Sequence, residues 1–427
     1  MVGKNCYDAY VAILKEELVP ALGCTEPIAV AYTAAQAVKA LGGRPERIEV
    51  WCSGNIIKNV HSVVVPNTNG LKGIEAAAIA GMLSSTPDAK LEVLEGLTPE
   101  AAAKIPDYLK QQMCTTKLAT KVDNLYIDVR VFAGDKSAQV VVQKDHTNIS
   151  KIVVNGKIVF EKELSDQKSN VPVTALDKSC LSIKDILEFA NTVQLSDIKE
   201  IIGKQIKYNT AISEEGLWHQ YGVNVGQTLL QCYGYGVNNR AAAMAAAGSD
   251  ARMSGCPLPV VINSGSGNQG LAVSLPVVEY AKELKSSEEK LYRALVVSNL
   301  TAIHIKNSIG RLSAFCGAVT AACGSGAAIT YLCGGTYEDI SRTVTNTLAN
   351  VSGIVCDGAK ASCAAKIASA VNAAILAHHL SFDCKAFANG DGLVKGDVEA
   401  TIKSIGRMGR EGMKETDQEI IKIMIEK

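Results

Sequence analysis

Aromatic side chains are scarce: Phe, Tyr and Trp make up 5% of the 427 residues, while apolar residues as a whole make up 47%. A core must therefore be built from Ala, Val, Ile and Leu, with close helix contacts through Gly and Ala. Net charge is absent as well, with 43 Lys and Arg balancing 43 Asp and Glu and no run of five or more like charges. That balance lacks the electrostatic footprint of a nucleic-acid binder and suits a small neutral or zwitterionic partner. No window of 18 apolar residues free of charge occurs, and "MVGKNCYDAYVAILKEELVPAL" at the N-terminus carries acidic residues inside its apolar pattern. Neither a membrane span nor a secretory leader is expected, and a soluble, cytoplasmic protein is. CxxC, HExxH and Gly-x-Ser-x-Gly are also missing, which removes the zinc-finger, zinc-protease and α/β-hydrolase readings.

Cysteine, by contrast, is abundant and odd in number, at 13. In a reducing compartment a disulfide framework is not expected, so the thiols are buried small hydrophobes or metal ligands. Cys6, Cys52, Cys114, Cys180 and Cys232 stand singly and default to structure. Cys316 shares an Ala-rich helical stretch with Cys323 and Cys333. Cys356 lies beside "DG" in an expected loop, and Cys363 about one turn into the next helix. Were 356 to 363 all helix, their Cα atoms would be about 10 Å apart, so a break at "CDGA" is needed to bring the thiols closer.

Length favours two domains. Residues 7 to 41 read as helix, loop, helix, and Ile48 to Cys52 as a strand running into Gly54. Residues 72 to 118 return to a helical pattern. "LYIDVRVFAGDKSAQVVVQKDHTNISKIVVNGKIVFEKE" alternates over at least three runs with "AGDKS" and "VNGK" as turns, which predicts a three- or four-stranded antiparallel sheet. Short helices are expected at 181 to 190 and 196 to 209, followed by long Ala-rich helices separated by glycine. The fold class expected is an α+β N-terminal part (1–206) with a small antiparallel sheet, plus a mostly α-helical C-terminal domain (207–427).

Four stretches with glycine or cysteine stand out beside "GIVCDGAKASCAAK": "LGCTEP" (22–27), "CSGNIIKN" (52–59), "NSGSGNQG" (263–270) and "SAFCGAVTAACGSG" (313–326). Such loops expose backbone N–H groups beside helix N-termini, an arrangement that binds carboxylate or phosphate. Thiolate-only sites favour zinc or an iron–sulfur cluster. Three thiolates would leave one iron of a cubane without a protein ligand, a Lewis acid suited to hydrolytic or lyase chemistry.

Together these motifs resemble the L-cysteine desulfidase family, relatives of the bacterial iron–sulfur L-serine dehydratases, over essentially the whole chain. In the dehydratases the segment similar to "GIVCDGAKASC" has a longer gap between its cysteines, so the seven-residue spacing favours the desulfidase branch. The resemblance implies a [4Fe–4S] lyase that converts L-cysteine and water to sulfide, ammonia and pyruvate without pyridoxal phosphate. It implies Cys316, Cys356 and Cys363 as cluster ligands and Cys24 as the group acting at substrate. Cys24 is a candidate base if a nearby cation or helix N-terminus lowers its pKa, or a candidate fourth ligand.

A carboxylate clamp is expected from Ser53, Gly54 and Asn55 and from Ser264, Ser266 and Asn268. Lys58, His61, His304 and Arg311 are candidate polar partners, while His378 and His379 are expected at the surface or an interface. An iron–sulfur L-serine or L-threonine dehydratase is the neighbouring alternative, and a non-enzymatic metal- or cysteine-sensing protein is the alternative of another class. Ala/Gly-rich helices with little aromatic cover add a homo-oligomer to the expectations.

Overall fold

The computed structural model describes residues 4–162, 177–310 and 312–425. The N-terminal part opens with α1 (Lys4–Glu17), the short β1 (Pro20–Leu22) and α2 (Thr25–Leu41), followed by β2 (Arg47–Cys52), α3 (Gly54–Val60) and α4 (Ile74–Leu83). Two short helices, α5 (Pro99–Ala102) and α6 (Ile105–Lys110), lead into β3 (Cys114–Leu118). A meander of β4 (Tyr126–Ala133), β5 (Lys136–Gln143), β6 (Ile149–Val154) and β7 (Lys157–Glu161) follows.

The expected meander is present, and it belongs to a larger sheet of six strands in the order β3-β2-β4-β5-β6-β7. All neighbours are antiparallel except β2 and β3, which pair in parallel from Ile48–Cys114 to Cys52–Leu118. β3 corrects the expectation of helix up to residue 118. "CTTKL" is an edge strand with only Cys114 buried, too exposed and too short to alternate visibly. Helix α2 lies across β4 and β5 and against α4. At the α2–α4 crossing a Cβ on Gly81 would stand 2.0 Å from the Ala31 carbonyl oxygen, so glycine there permits the contact.

The remainder is helical: α7 (Ile183–Thr192), α8 (Leu195–Trp218), α9 (Val225–Tyr233) and α10 (Val237–Met253) precede the three-residue β8 (Pro259–Val261). Then come α11 (Gly267–Glu283), α12 (Glu288–Ile309), α13 (Gly317–Leu332), α14 (Tyr337–Val351), α15 (Cys363–Phe382), α16 (Val398–Arg407) and α17 (Lys414–Ile425). Helix α13, "GAVTAACGSGAAITYL", is buried along nearly its whole length and packs against α11, α12, α14 and α15. Its small side chains are what allow four neighbours: a Cβ on Gly324 would lie 2.3 Å from the Ser298 carbonyl oxygen.

Position 206 falls within α8, which runs unbroken from Leu195 to Trp218. β1 pairs antiparallel with β8, Pro20 opposite Val261 and Leu22 opposite Pro259. This two-stranded link ties the segment around residue 24 to the segment around residue 264.

Candidate functional site

The five glycine- or cysteine-marked segments meet around one recessed pocket. Its wall includes Cys24 and Glu26, Asn55, Lys58 and Asn59, Ser264 to Ser266, Asn268 and Gln269, Phe315 to Ala318, and Cys356, Gly358, Ala359 and Cys363. Its empty space is about 820 Å³ counting the open mouth.

Local backbone chemistry explains how the thiols come together. Phe315 and Val355 form an antiparallel bridge. The Cys316 N–H donates to Ile354 O at 3.1 Å, and the Cys356 N–H donates to Ala314 O at 2.6 Å. The bridge thereby holds Cys316 and Cys356, each next to a bridged residue, together at the pocket wall. Beyond Cys356 the chain turns at Gly358, whose φ of +95° and 2.4 Å approach of an added Cβ to the Lys58 carbonyl oxygen both demand glycine. The turn delivers Cys363 as the first residue of α15. The aspartate of "CDGA" pairs with Lys366, which also donates to Val355 O at 3.0 Å.

Burial pushes the Cys316 thiol up to about 12, and the neighbouring Cys356 and Cys363 add to the rise. Cys363 is raised too, by burial first and Cys356 second. Lys366 opposes both rises. Burial disfavours its ammonium, yet Asp357 and the thiols hold it charged. Cys316 and Cys363, both raised, keep their protons until a cationic partner displaces them.

Cys24 stands across the pocket, in a small apolar cluster with Val63 and Met253 against which Ala359 and Cys363 pack. It follows Gly23, where a φ of +67° and contact with Pro66 exclude a side chain, and it is the N-cap of α2. The thiol donates to Glu26 Oε2 at 3.0 Å. Both features expected to lower its pKa are present, the helix N-terminus and a cation, Arg252, but they do not prevail. Burial pushes the thiol well up, and the Glu26 charge adds to the effect. In this geometry Cys24 carries its proton.

Glu26 itself is buried in the first turn of α2. Burial pushes its carboxyl upward, but His146 and the Cys24 thiol outweigh that and hold it below the usual range. Asn59 Nδ2 donates to Oε1 at 3.0 Å, and the Thr25 hydroxyl lies 3.0 Å from Oε2. The His146 ring is 4% exposed, with Nε2 3.9 Å from Glu26 Oε1 and without a hydrogen-bond partner.

The residues expected to form the clamp divide by position. Ser264, in a left-handed conformation at φ 51°, Ser266, the N-cap of α11, and Asn268 all line the pocket, as does Asn55. Ser53 and Gly54 are not in the wall. The Ser53 hydroxyl is given to Asn124 O at 2.7 Å, and Gly54 lies under Ile421 of α17. Lys58 lines the pocket but is buried and paired with Asp417, and it donates to Cys356 O at 3.3 Å, so its charge is already matched. Arg311 lies outside the described residues. His61 is exposed beside Ser62, and His304 is bound to Glu399 at 2.7 Å, not in the pocket wall. His378, expected near the surface, is 4% exposed and meets Thr330 Oγ1 at 3.0 Å, while His379 is exposed.

Glu26, Asn59, His146, Arg252, Gln269 and Lys306 complete the wall without having been singled out in the sequence. Glu26, Asn59 and Gln269 sit inside the quoted motifs. Arg252 has a weaker signal, a lone cation in the mostly small run "AAAMAAAGSDARM". His146, in the β5–β6 turn, has none.

Fold and pocket define an α+β protein, dominated by helices, whose recessed pocket is lined by four cysteines and ringed by the N-termini of α2, α11, α13 and α15. The chain belongs to the family of the serine dehydratase alpha chain, whose model matches residues 88–422. It is 54% identical over 419 residues to a UPF0597 protein of Lachnoclostridium phytofermentans, covering 98% of this chain and 100% of the relative. A UPF0597 protein of Desulfitobacterium hafniense is 53% identical over 98% of this chain and 97% of its own. One from Treponema denticola is 49% identical over 99% of each.

Proposed function

We propose that the protein is an iron–sulfur-dependent lyase that breaks down L-cysteine with water to hydrogen sulfide, ammonia and pyruvate. The observation that carries the reading is the convergence of Cys316, Cys356 and Cys363 with Cys24 in one pocket that also holds a buried carboxylate and cations. Among the described residues no three His, Cys, Asp or Glu side chains converge on a single metal ion. A cluster of several irons spreads its thiolates more widely than one ion does, and the donor set suits it: three thiols, with Lys366, itself paired to Asp357, close enough to oppose the rise of Cys316 and Cys363. Cys316, Cys356 and Cys363 are the proposed ligands, and the [4Fe–4S] type is part of the proposal. Bound by these three residues, such a cluster would supply Lewis-acid chemistry toward the leaving group.

The remaining chemistry falls to side chains. Removal of the Cα proton and loss of the β-sulfur leave an aminoacrylate, which tautomerises and hydrolyses to ammonia and pyruvate. Cys24 is the proposed group at the Cα proton, and it works as a base only once its own proton is gone. Ser264, Ser266, Asn268 and Asn55 are proposed to orient the amino acid, with the N-terminus of α11 favouring its carboxylate.

The family match favours a second reading, L-serine or L-threonine dehydratase, in which water leaves in place of sulfide. Side-by-side turnover of anaerobically reconstituted protein separates the two. Sulfide and pyruvate from cysteine are expected, and exclusive turnover of serine would sink the desulfidase reading. A protein that carries no iron after anaerobic purification, and whose Cys356→Ala variant matches the wild type, would sink the cluster assignment. The substrate is thus a small amino acid. No helix among the described residues is long and apolar enough to cross a membrane.

A further inference from the structure

Arg252, near the C-terminal end of α10, is among the largest fully buried side chains, at 2% exposure. Its guanidinium is held in place from two sides: Nε donates to Gly23 O at 2.9 Å and Nη1 to Asn268 Oδ1 at 3.0 Å. It lies flat against Gly267, where an added Cβ would stand 2.3 Å from Nε and 2.7 Å from Cζ. The third nitrogen, Nη2, is buried and has no hydrogen-bond partner.

Arg252 forms no ion pair among the described residues. The pocket's buried carboxylate, Glu26, takes its hydrogen bonds from Cys24, Thr25 and Asn59 instead. A buried guanidinium with a free N–H edge and no counter-charge is costly unless an anion completes it. Arg252 lines the same pocket as the four cysteines, and of its partners Gly23 directly precedes Cys24 and Asn268 stands in the first turn of α11.

We infer that Arg252 is the carboxylate anchor of the pocket, presenting Nη2 to the α-carboxylate of the amino-acid substrate while Gly23 and Asn268 fix its plane. The inference rests on the amino-acid lyase reading and adds to it the group that recognises the acid end. A guanidinium fits a carboxylate in a planar, charge-assisted contact that lysine does not reproduce. The amino acid then enters with its carboxylate toward α10 and α11 and its Cα toward Cys24.

Binding of unreactive ligands to the anaerobically reconstituted holoenzyme tests this by calorimetric titration. L-alanine keeps the carboxylate and lacks a leaving group, whereas L-alaninamide loses only the negative charge. Wild type should prefer L-alanine by about 100-fold, the usual scale for a buried charge-assisted contact. In Arg252→Met that preference should vanish. Because Arg252→Met removes two structural hydrogen bonds, Asn268→Asp serves as the second variant: it keeps the acceptor on Nη1, adds a competing negative charge, and should cut the preference for L-alanine over L-alaninamide about tenfold. Equal affinity for the two ligands in wild type, or an undiminished preference in either folded variant, overturns the assignment. If wild type releases pyruvate from cysteine or serine while showing no carboxylate preference, the lyase reading stands and Arg252 alone fails. If it neither turns over nor binds an amino acid, both fail.

Discussion

Glu26 is a carboxylate kept ionised inside a buried pocket, and its main effect falls on the thiol two residues before it. Its negative charge, second only to burial, raises Cys24. If Cys24 removes the Cα proton as a thiolate, kcat/KM must rise with pH, because the fraction of thiolate grows as pH approaches the raised pKa. Glu26→Gln removes the opposing charge, so the rising limb should move to lower pH. A limb that stays in place in Glu26→Gln, or its absence from the wild type, would remove Cys24 from the role of base. The sequence makes Cys24 visible because its motif is contiguous, and Glu26 lies within that same motif. Arg252 and His146 are hard to see for the opposite reason. Each reaches the pocket from an element far along the chain, and a single buried cation or imidazole leaves no periodic trace. The charge balance of the pocket depends on which distant elements meet, which local pattern does not encode.

Two helices set the pocket's stability from outside. α17 lies on α3, with Ile421 over Gly54 and Asp417 paired to Lys58, whose side chain is 1% exposed. Removing one partner strands a buried charge, so Asp417→Ala should cost roughly 3 kcal/mol in denaturant unfolding. Because Lys58 also holds the Cys356 carbonyl, iron retention should fall as well. The double variant Asp417→Ala/Lys58→Met should recover most of the loss. A single variant as stable as wild type would show that the pair does not dock α17. At the other side, His378 of α15 is held down to about 4, by burial first and the charge of His379 second. The folded form therefore favours the neutral ring: its stabilising effect is complete above the ordinary value of 6.5 and is lost as pH falls from there toward 4. The loss is on the order of 3 kcal/mol. His378→Asn should flatten the stability profile over that interval, and an unchanged slope would place the acid sensitivity elsewhere. Strong patterns such as the β4–β7 meander and the Ala-rich helices are readable from sequence. The edge strand β3 and the Phe315–Val355 bridge are not, because each exists only through its partner.

At the scale of the whole chain, the change from sheet-bearing to helical structure near residue 206 is a change of architecture, and we propose it as that rather than as a seam in stability. Helix α8 carries the backbone straight through the position. β1 is completed by β8, and α3 is covered by α17, so early elements depend on late ones. The backbone N–H of Ile183 donates to Glu399 at 2.8 Å. One continuous apolar cluster runs from Tyr10 to Ile405 and includes Cys316. Elements that share one core and complete each other's hydrogen bonds unfold together. Thermal unfolding of the cluster-free protein should therefore show one transition, with far-UV and near-UV circular dichroism superimposing. A fragment ending at residue 206 should lack cooperative unfolding, since it loses the partner of β1 and the counter-charge of Lys58. Two separated transitions, or a fragment that melts cooperatively on its own, would instead establish independent domains on either side of the boundary. In that case the pocket, whose wall draws Cys24 from one side and Cys316, Cys356 and Cys363 from the other, would be an interdomain site able to open.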